Sequence, residues 1–273
     1  MTLSIYQYQF TPNGSSTPFV WGAGTSYAVE NIDGLGGSSP IRNEDDNRGY
    51  IDGSFSGRDF YDARTVTFDI LITGDGSHSA QYYYKQLQAS LYPQPTGYYP
   101  DPYASTQATG VLGLFQFQLS AVTGIQRMWG RVRLVTTPID PEFSFGYITC
   151  TVEFYFPDPR YYDDTAITPS AGTTVSLSNA GWATTCPAIT IATPSASGSI
   201  TDNINGYVMA FSNVDTSYPL VIDLLRRSVT QNSLPARNTL TNVNNWLCLT
   251  PNYSTTWTST LGSMAITYRN AYN

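Results

Sequence analysis

The sequence predicts a mainly β protein with two domains: a hairpin-rich sheet with one helix across it, followed by a β-sandwich. Three observations lead to this prediction. Short runs of β-type residues alternate with Gly, Pro, Asn and Asp clusters along most of the chain. Only one segment, 77–91, has a helical period. A length of 273 residues suits two cores of moderate size.

The clearest strand is 65–73, TVTFDILIT. Side chains alternate between the faces of a strand, so the apolar residues at its even-numbered positions, from Val66 to Ile72, share one face. Further strands are predicted at 114–119, 127–135 and 146–156. These strands form the predicted N-terminal sheet.

One helix is predicted after the first of these strands. Ser77 or Ser79 can cap a helix that continues to about Leu91, where two prolines stop it. Tyr83, Leu87 and Leu91 recur at four-residue spacing and make one apolar stripe. A Pro- and Tyr-rich loop, 92–103, follows the helix and cannot be a central strand.

The boundary between the domains is predicted within 165–172, TAITPSAG, because this stretch is uncharged and contains Pro, Gly and Ser. The predicted domains are therefore 1–165 and 166–273. Short strands with turn signals and no helical period predict a β-sandwich for the second domain. The predicted strands are 174–178, 188–192, 207–212, 219–223, 246–250 and 263–268.

The composition argues against several classes of function. The net charge is −7 and no run of Lys or Arg occurs, so specific nucleic-acid binding is not expected. Charged residues make up only 12% of the chain, and Lys85 is the single lysine. Such a surface suits large protein contacts, whose cores are depleted in Lys and Glu. A compositional habit of the source genome explains it equally well. No signal peptide or membrane span is expected.

The three cysteines are Cys150, Cys186 and Cys248. They are odd in number and far apart, and no two have C-x-x-C spacing. This pattern implies neither a disulfide framework nor a zinc site. We therefore expect reduced, partly buried thiols in a protein made in a cytoplasm.

Three features suggest chemistry without completing a site. The glycines of 34–37 lack the following helix that a phosphate loop needs, so a tight turn is predicted. The acidic cluster of Asp45, Asp46, Asp52 and Asp59 lacks the spacing of a calcium loop and is read as a solvated turn. His78 is the only histidine, which argues against a triad or a zinc site. We expect no catalytic residue, cofactor or metal, and hence no enzyme.

A series of short motifs runs through both halves of the chain. In the first half these are IDGLG at 32–36, GRD at 57–59, GRVR at 130–133, PID at 138–140 and FPDPRY at 156–161. In the second half they are SNAG at 178–181, PAITI at 187–191, LVID at 220–223 and ITYRNAY at 266–272. In this order they resemble the distal tail protein family of bacteriophages with long non-contractile tails.

This resemblance implies a barrel-like, tail-tube-like N-terminal domain and a galectin-like C-terminal sandwich. It also implies a structural protein of the virion tail tip, synthesised in the host cytoplasm. The expected assembly is a homo-hexameric ring with a central channel through which DNA passes. The expected partners are the tail tube protein, a tail-associated lysin or baseplate hub, and other minor tail proteins. The alternative function is an adhesion module that binds host cell-wall glycan.

Two sets of residues are candidates for these functions. Charged residues in the N-terminal motifs can form ion pairs across a ring interface and set its register; pairing within one chain is the other interpretation and stays equally open. The interface candidates are Arg58, Asp59, Arg64, Arg131, Arg133, Asp158 and Arg160. Glycan stacking, if present, is assigned to Trp182 and Trp246, although tryptophans of a sandwich are more often in its core.

Overall fold

The structure is a computed structural model that divides into two compact units, Met1–Tyr161 with Asn273, and Tyr162–Tyr272. The side chains of 46–47, 54–55 and 60 are not described, and the residues that the structure does describe are 3–13, 15–37, 41–42, 46–47, 54–55, 60–92, 112–137, 146–242 and 246–273. The predicted loop at 92–103 and the predicted turn at 138–140 therefore lie almost wholly outside the described residues.

The first unit is an antiparallel sheet with one helix. Its elements are β1 Gln7–Thr11, β2 Phe19–Gly22, β3 Tyr27–Asp33, β4 Ile41–Arg42, β5 Asp46–Asn47, β6 Ser54–Phe55, β7 Phe60–Tyr61, β8 Arg64–Thr73, α1 Ala80–Ser90, β9 Gly113–Gln118, β10 Gln126–Thr136 and β11 Tyr147–Phe156. The main path runs β2-β1-β9-β10-β11-β8-β3, while β4 pairs with β7 and β5 with β6. The predicted mainly β class is confirmed.

The two ends of this path approach each other. A short turn joins β2 to β3, and the ring centroids of Phe19 and Tyr27 are 4.8 Å apart across it. The sheet therefore curls around an aromatic core into a barrel-like wall. In that core Trp21 stacks on Phe154 at 5.6 Å and meets Phe68 edge-on at 5.4 Å, geometries that aromatic pairs prefer. The apolar face predicted for β8 is confirmed, since its even-numbered residues are fully buried.

Two glycines explain how large rings fit against this wall. Gly113 of β9 and Gly130 of β10 are directly opposite each other. A Cβ on Gly113 would lie 2.4 Å from the ring of Phe10, and a Cβ on Gly130 would lie 2.4 Å from the ring of Phe156. The GRVR motif thus begins with Gly130 because the ring of Phe156 on the neighbouring strand occupies the space that a side chain would need.

The predicted helix is confirmed as α1. The hydroxyl of Ser79 caps it by accepting a hydrogen bond from the backbone N–H of Tyr82. Leu87 and Leu91 are fully buried and Tyr83 packs against the core, as the four-residue spacing predicts. The helix ends at Ser90, and the backbone N–H of the C-cap residue Leu91 donates to the carbonyl of Leu87.

The second unit is a sandwich of two antiparallel sheets. Its strands, with β12 at its start, are β12 Tyr161–Asp163, β13 Thr174–Asn179, β14 Ala188–Ile191, β15 Gly198–Asp202, β16 Val208–Phe211, β17 Leu220–Asp223, β18 Ser228–Gln231, β19 Leu234–Pro235, β20 Tyr253–Ser259, β21 Met264–Thr267 and β22 Ala271–Tyr272. One sheet has the order β13-β20-β15-β16 and the other β19-β18-β17-β14-β21. Trp257, Ile189 and Ile222 belong to the core between them, so the predicted sandwich is confirmed.

Asn179 accounts for the SNAG motif at the start of this sandwich. Its side chain is fully buried and donates to the carbonyls of Ala183, Leu249 and Thr250 at 2.8, 3.3 and 3.2 Å. Its carbonyl oxygen accepts from the N–H of Gly181. A Cβ on Gly181 would lie 2.1 Å from the carbonyl oxygen of Ala271, so glycine is required there.

The predicted strand at 246–250 is wrong. Its alternation is real, because Leu247 and Leu249 are buried. However, the segment pairs only through one isolated bridge, between Leu249 and Thr185. Alternating apolar residues show which side chains are buried, but they do not show that the backbone pairs with another strand. This segment covers the core without forming the regular hydrogen bonds of a β-sheet.

The expectation of three reduced thiols is also wrong. Cys186 and Cys248 form a disulfide, and only Cys150 remains a thiol, buried in the first unit. The Thr185–Leu249 bridge brings the two neighbouring cysteines to a Cα–Cα distance of 4.4 Å, which suits a disulfide. Their separation of 62 residues gave no sign of this proximity.

Candidate interaction surfaces

The described residues contain no group of three or more His, Cys, Asp and Glu side chains that could hold a metal ion. None of their helices is both long and apolar enough to cross a membrane. His78 is exposed at the start of α1 and stacks on Tyr82, with ring centroids 4.1 Å apart.

Arg64 is not available to a neighbouring subunit, and its assignment to the interface is corrected. Its side chain is only 2% exposed and donates to the carbonyls of Gly34, Leu35 and Gly37 at 3.2, 2.9 and 3.3 Å. Burial lowers the pKa of its guanidinium, which the electrostatic effect of Tyr161 partly offsets. Arg64 therefore stabilises the glycine-rich turn of its own chain. The tight turn predicted there is confirmed by the positive φ of Gly34 and Gly37.

Arg131 and Arg133 come together on the outside of the sheet. Their guanidinium carbons lie 5.3 and 3.4 Å from the ring centroid of Tyr155 on β11. Arg127 lies in the same way over Trp129, at 5.8 Å. We call these five residues of β10 and β11 the arginine face. The sequence predicted that Arg131 and Arg133 share a face but missed both aromatic partners.

A bulge in β10 increases the exposure of the arginine face. The pairing of β10 with β11 shifts register between Val132 and Leu134. Both Arg133 and Leu134 are consequently exposed, where strict alternation would bury one of them. The face thus combines guanidinium groups with an exposed apolar side chain.

Asp158 and Arg160 pair within one chain. The Nε and Nη2 atoms of Arg160 donate to the two carboxylate oxygens of Asp158 at 2.8 and 3.0 Å. This two-point geometry fixes both side chains. For this pair the structure favours the interpretation of pairing inside the chain. Arg58 and Asp59 lie outside the described residues.

An acidic surface at the far edge of the same sheet was not predicted. Glu30 and Asp33 are exposed on β3, and Glu30 sits at a register shift between Val29 and Asn31. Asp69 of β8 lies beside them and accepts a hydrogen bond from Asn31 at 3.3 Å. We call Glu30, Asp33 and Asp69 the acidic edge. The bulge that exposes Glu30 has no signal in the sequence, which is why the residue was missed.

The two tryptophans assigned to glycan stacking have different surroundings. Trp182 is 57% exposed, and its ring meets that of Tyr272 edge-on at 4.7 Å. Trp246 is half-buried against the core of the sandwich, with the guanidinium of Arg237 5.7 Å from its ring. Trp257 is fully buried. Of the three, only Trp182 presents much of its ring to solvent.

Neither a protein-family model nor a curated protein matches the sequence. Solved structures do match the fold. SPP1 Dit (gp 19.1), a hub protein of the adsorption apparatus of phages that infect Gram-positive bacteria, aligns with a TM-score of 0.66 and 15% identity. The alignment covers 97% of this chain and 99% of that chain. This chain has the fold of a phage Dit protein. The resemblance suggested by the motifs is therefore confirmed at the level of the fold.

A second match is a chain of the phage P2 baseplate in its activated conformation with Ca, with a TM-score of 0.50. Its sequence is 9% identical to this one, and the alignment covers 97% of each chain. Both matches therefore include the sheet with its helix as well as the sandwich. At such low identity the two matches establish a shared architecture.

Proposed function

We propose that this protein is a structural, non-enzymatic component of a phage tail tip, located in the virion. The observation that carries the proposal is the alignment of both units over 97% of the chain with SPP1 Dit, a hub protein. A fold match over one unit alone would be weaker support, because single β domains serve many functions. Motifs from both halves of the chain point to the same family.

In the proposed assembly six copies form a ring. The N-terminal domain, 1–165, forms the ring under the tail tube, and the galectin-like C-terminal domain, 166–273, meets the adhesion or baseplate proteins. The tail tube protein, a tail-associated lysin or hub and other minor tail proteins are its partners. DNA passes through the central channel. The net charge of −7 suits a lumen that repels DNA.

The test is the solution mass of the purified chain by light scattering, with negative-stain images of the same sample. We expect six times the chain mass of 30.0 kDa, and six-fold particles with an open centre. A monomer that persists at high concentration and low salt would argue against self-assembly. Particles of another symmetry would overturn the six-fold ring while leaving self-assembly in place.

The exposed ring of Trp182 favours one alternative, an adhesion module that binds host cell-wall glycan. Aromatic rings that face solvent can stack on sugars, and Trp182 is the candidate with this exposure. Titration of the full-length protein with purified cell-wall polysaccharides, followed by tryptophan fluorescence, tests it. Saturable binding that Trp182→Ala abolishes and Trp246→Ala retains would support the alternative. Absence of binding across the panel would reject it.

A further inference from the structure

We infer that copies of this chain contact each other head to tail, with the arginine face of one copy against the acidic edge of the next. This inference rests on the proposed ring and identifies the surfaces that close it. The arginine face lies on β10 and β11, and the acidic edge on β3 and β8. The partner is therefore a second copy of the same chain.

The charges of the first unit are separated along its sheet. β1, β2, β9 and β10 contain no acidic residue, and β10 supplies the three arginines of the arginine face. β3 contains Glu30 and Asp33 and no basic residue, while Arg64, the only basic residue of β8, is buried. Glu153, which lies opposite Leu134, is the only acidic residue within the strands β10 and β11 themselves. The sheet is therefore cationic in its middle and acidic at one edge.

These opposite charges are too far apart to neutralise each other within one chain. In the sheet order β10-β11-β8-β3, three strand spacings separate β10 from Glu30 and Asp33 on β3, and two separate it from Asp69 on β8. These separations are about 14 Å and about 10 Å at the usual spacing between neighbouring strands. Exposed charges are largely screened beyond about 8 Å at physiological salt. The acidic edge of the same chain therefore does not neutralise Arg131 and Arg133.

The side chains of the arginine face are preorganised for binding. Stacking over Tyr155 restricts the guanidinium groups of Arg131 and Arg133, so less side-chain entropy is lost when a partner arrives. Arginine and aromatic residues are enriched in the energetic centres of interfaces. Exposed Leu134 adds apolar surface beside them.

Glu30 is the most accessible part of the acidic edge. The register shift in β3 leaves its side chain exposed to a neighbour. An open cavity of about 530 Å³ runs along this edge, and Tyr6, Glu30 and Ile32 are among the residues that line it. Long arginine side chains from a neighbour can enter such a cavity and reach Glu30. A contact between two different surfaces is heterologous, and repeated contacts of this kind make a ring when the rotation closes.

The test uses two charge-reversed variants of the full chain. Arg131→Glu/Arg133→Glu makes both contacting surfaces acidic, and Glu30→Lys/Asp33→Lys makes both basic. Because like charges then face each other, each variant alone needs roughly a hundredfold higher concentration to assemble. When the two are mixed in equal amounts, alternating copies have opposite charges at every contact, so even-numbered rings form again. Light scattering and negative-stain images measure both effects.

A matched control keeps the net charge of the first variant. Arg226→Glu/Arg227→Glu changes exposed residues of the second unit, and we expect it to assemble like the wild type. Circular dichroism of each variant checks that it folds. Rings from either charge-reversed variant alone would overturn the inference while leaving the proposed function intact. Failure of the folded variants to assemble when mixed would also overturn it. A wild type that never forms rings would instead reject the proposed ring.

Discussion

Arg64 illustrates how far a charged residue can be from the role that its sequence context suggests. It follows the GRD motif at 57–59 closely, and this context predicts a place in the subunit interface. In the structure it is buried, and its guanidinium donates to three carbonyls of the turn at 34–37. A Cβ on Gly34 would lie 2.1 Å from the carbonyl oxygen of Thr65, so the turn and the start of β8 are in close contact. Arg64 links these two segments.

Arg64→Ala is expected to lower the free energy of unfolding by about 2–3 kcal/mol, because it removes hydrogen bonds from a charged donor to buried carbonyls. Urea unfolding gives this value, and hydrogen exchange should become faster at 34–37. Arg64→Lys is the control and should recover part of the loss, since an ammonium cannot match the planar fork of arginine. Unchanged exchange in this turn after Arg64→Ala would contradict the assignment.

Asp202 is a buried charged residue of the sandwich, as Arg64 is of the first unit. It is 1% exposed and accepts hydrogen bonds from the Thr255 hydroxyl at 2.5 Å, the Asn205 amide at 2.9 Å and the Ile204 N–H at 3.1 Å. Burial alone would raise its pKa, but these hydrogen bonds to the carboxylate outweigh burial and lower the pKa below its ordinary value of 3.8. The ionised form is thus favoured in the folded state.

A lowered folded-state pKa predicts the sign of a pH effect. The contribution of Asp202 to stability is fully present above the unfolded value of 3.8 and is lost as the pH falls through the lower folded value. We expect Asp202→Asn to be less stable than the wild type by about 1–3 kcal/mol at pH 7. The difference should shrink below pH 3.8. A difference that stays constant down to pH 2, measured by urea unfolding, would show that titration of Asp202 is not the cause.

At the scale of elements, the sequence predicted what depends on local periodicity. β8, β9 and β11 were predicted because their alternation is strict, and α1 because a capping serine precedes an apolar stripe. The strand prediction at 246–250 was wrong because the alternation of this segment arises from burial without strand pairing. The disulfide was not predicted because the proximity of Cys186 and Cys248 depends on the fold of the whole sandwich.

The disulfide is expected to contribute about 4 kcal/mol to the stability of the oxidised protein, because it closes a long loop in the unfolded chain. Cys186→Ser/Cys248→Ser should therefore lower the Tm of the sandwich. Adding reductant to the wild type should lower Tm by a similar amount and should leave the variant unchanged. Equal melting of the wild type with and without reductant would exclude the disulfide as a stabilising link. Cys150→Ala is the control for loss of a cysteine elsewhere.

At the scale of the whole molecule, both the fold class and the family resemblance could be predicted, although identity with SPP1 Dit is only 15%. Turns and burial patterns survive sequence change better than individual residues do, since many apolar residues fit the same core position. The interaction surfaces could be predicted only in part. That Arg131 and Arg133 lie on the same face of β10 follows from alternation along a strand. The acidic edge could not be predicted, because it depends on a bulge and on the order of the strands.

The state of the cysteines also makes the protein convenient to label. Cys150 is buried, and burial together with the charge of Asp69 raises its pKa to about 12, so its thiol stays protonated and unreactive at neutral pH. The other two cysteines are held in the disulfide. A cysteine introduced at Val122, which is 96% exposed, would thus be the sole reactive thiol of the oxidised chain. A fluorophore or spin label placed there would report distances between copies with every native cysteine left in place.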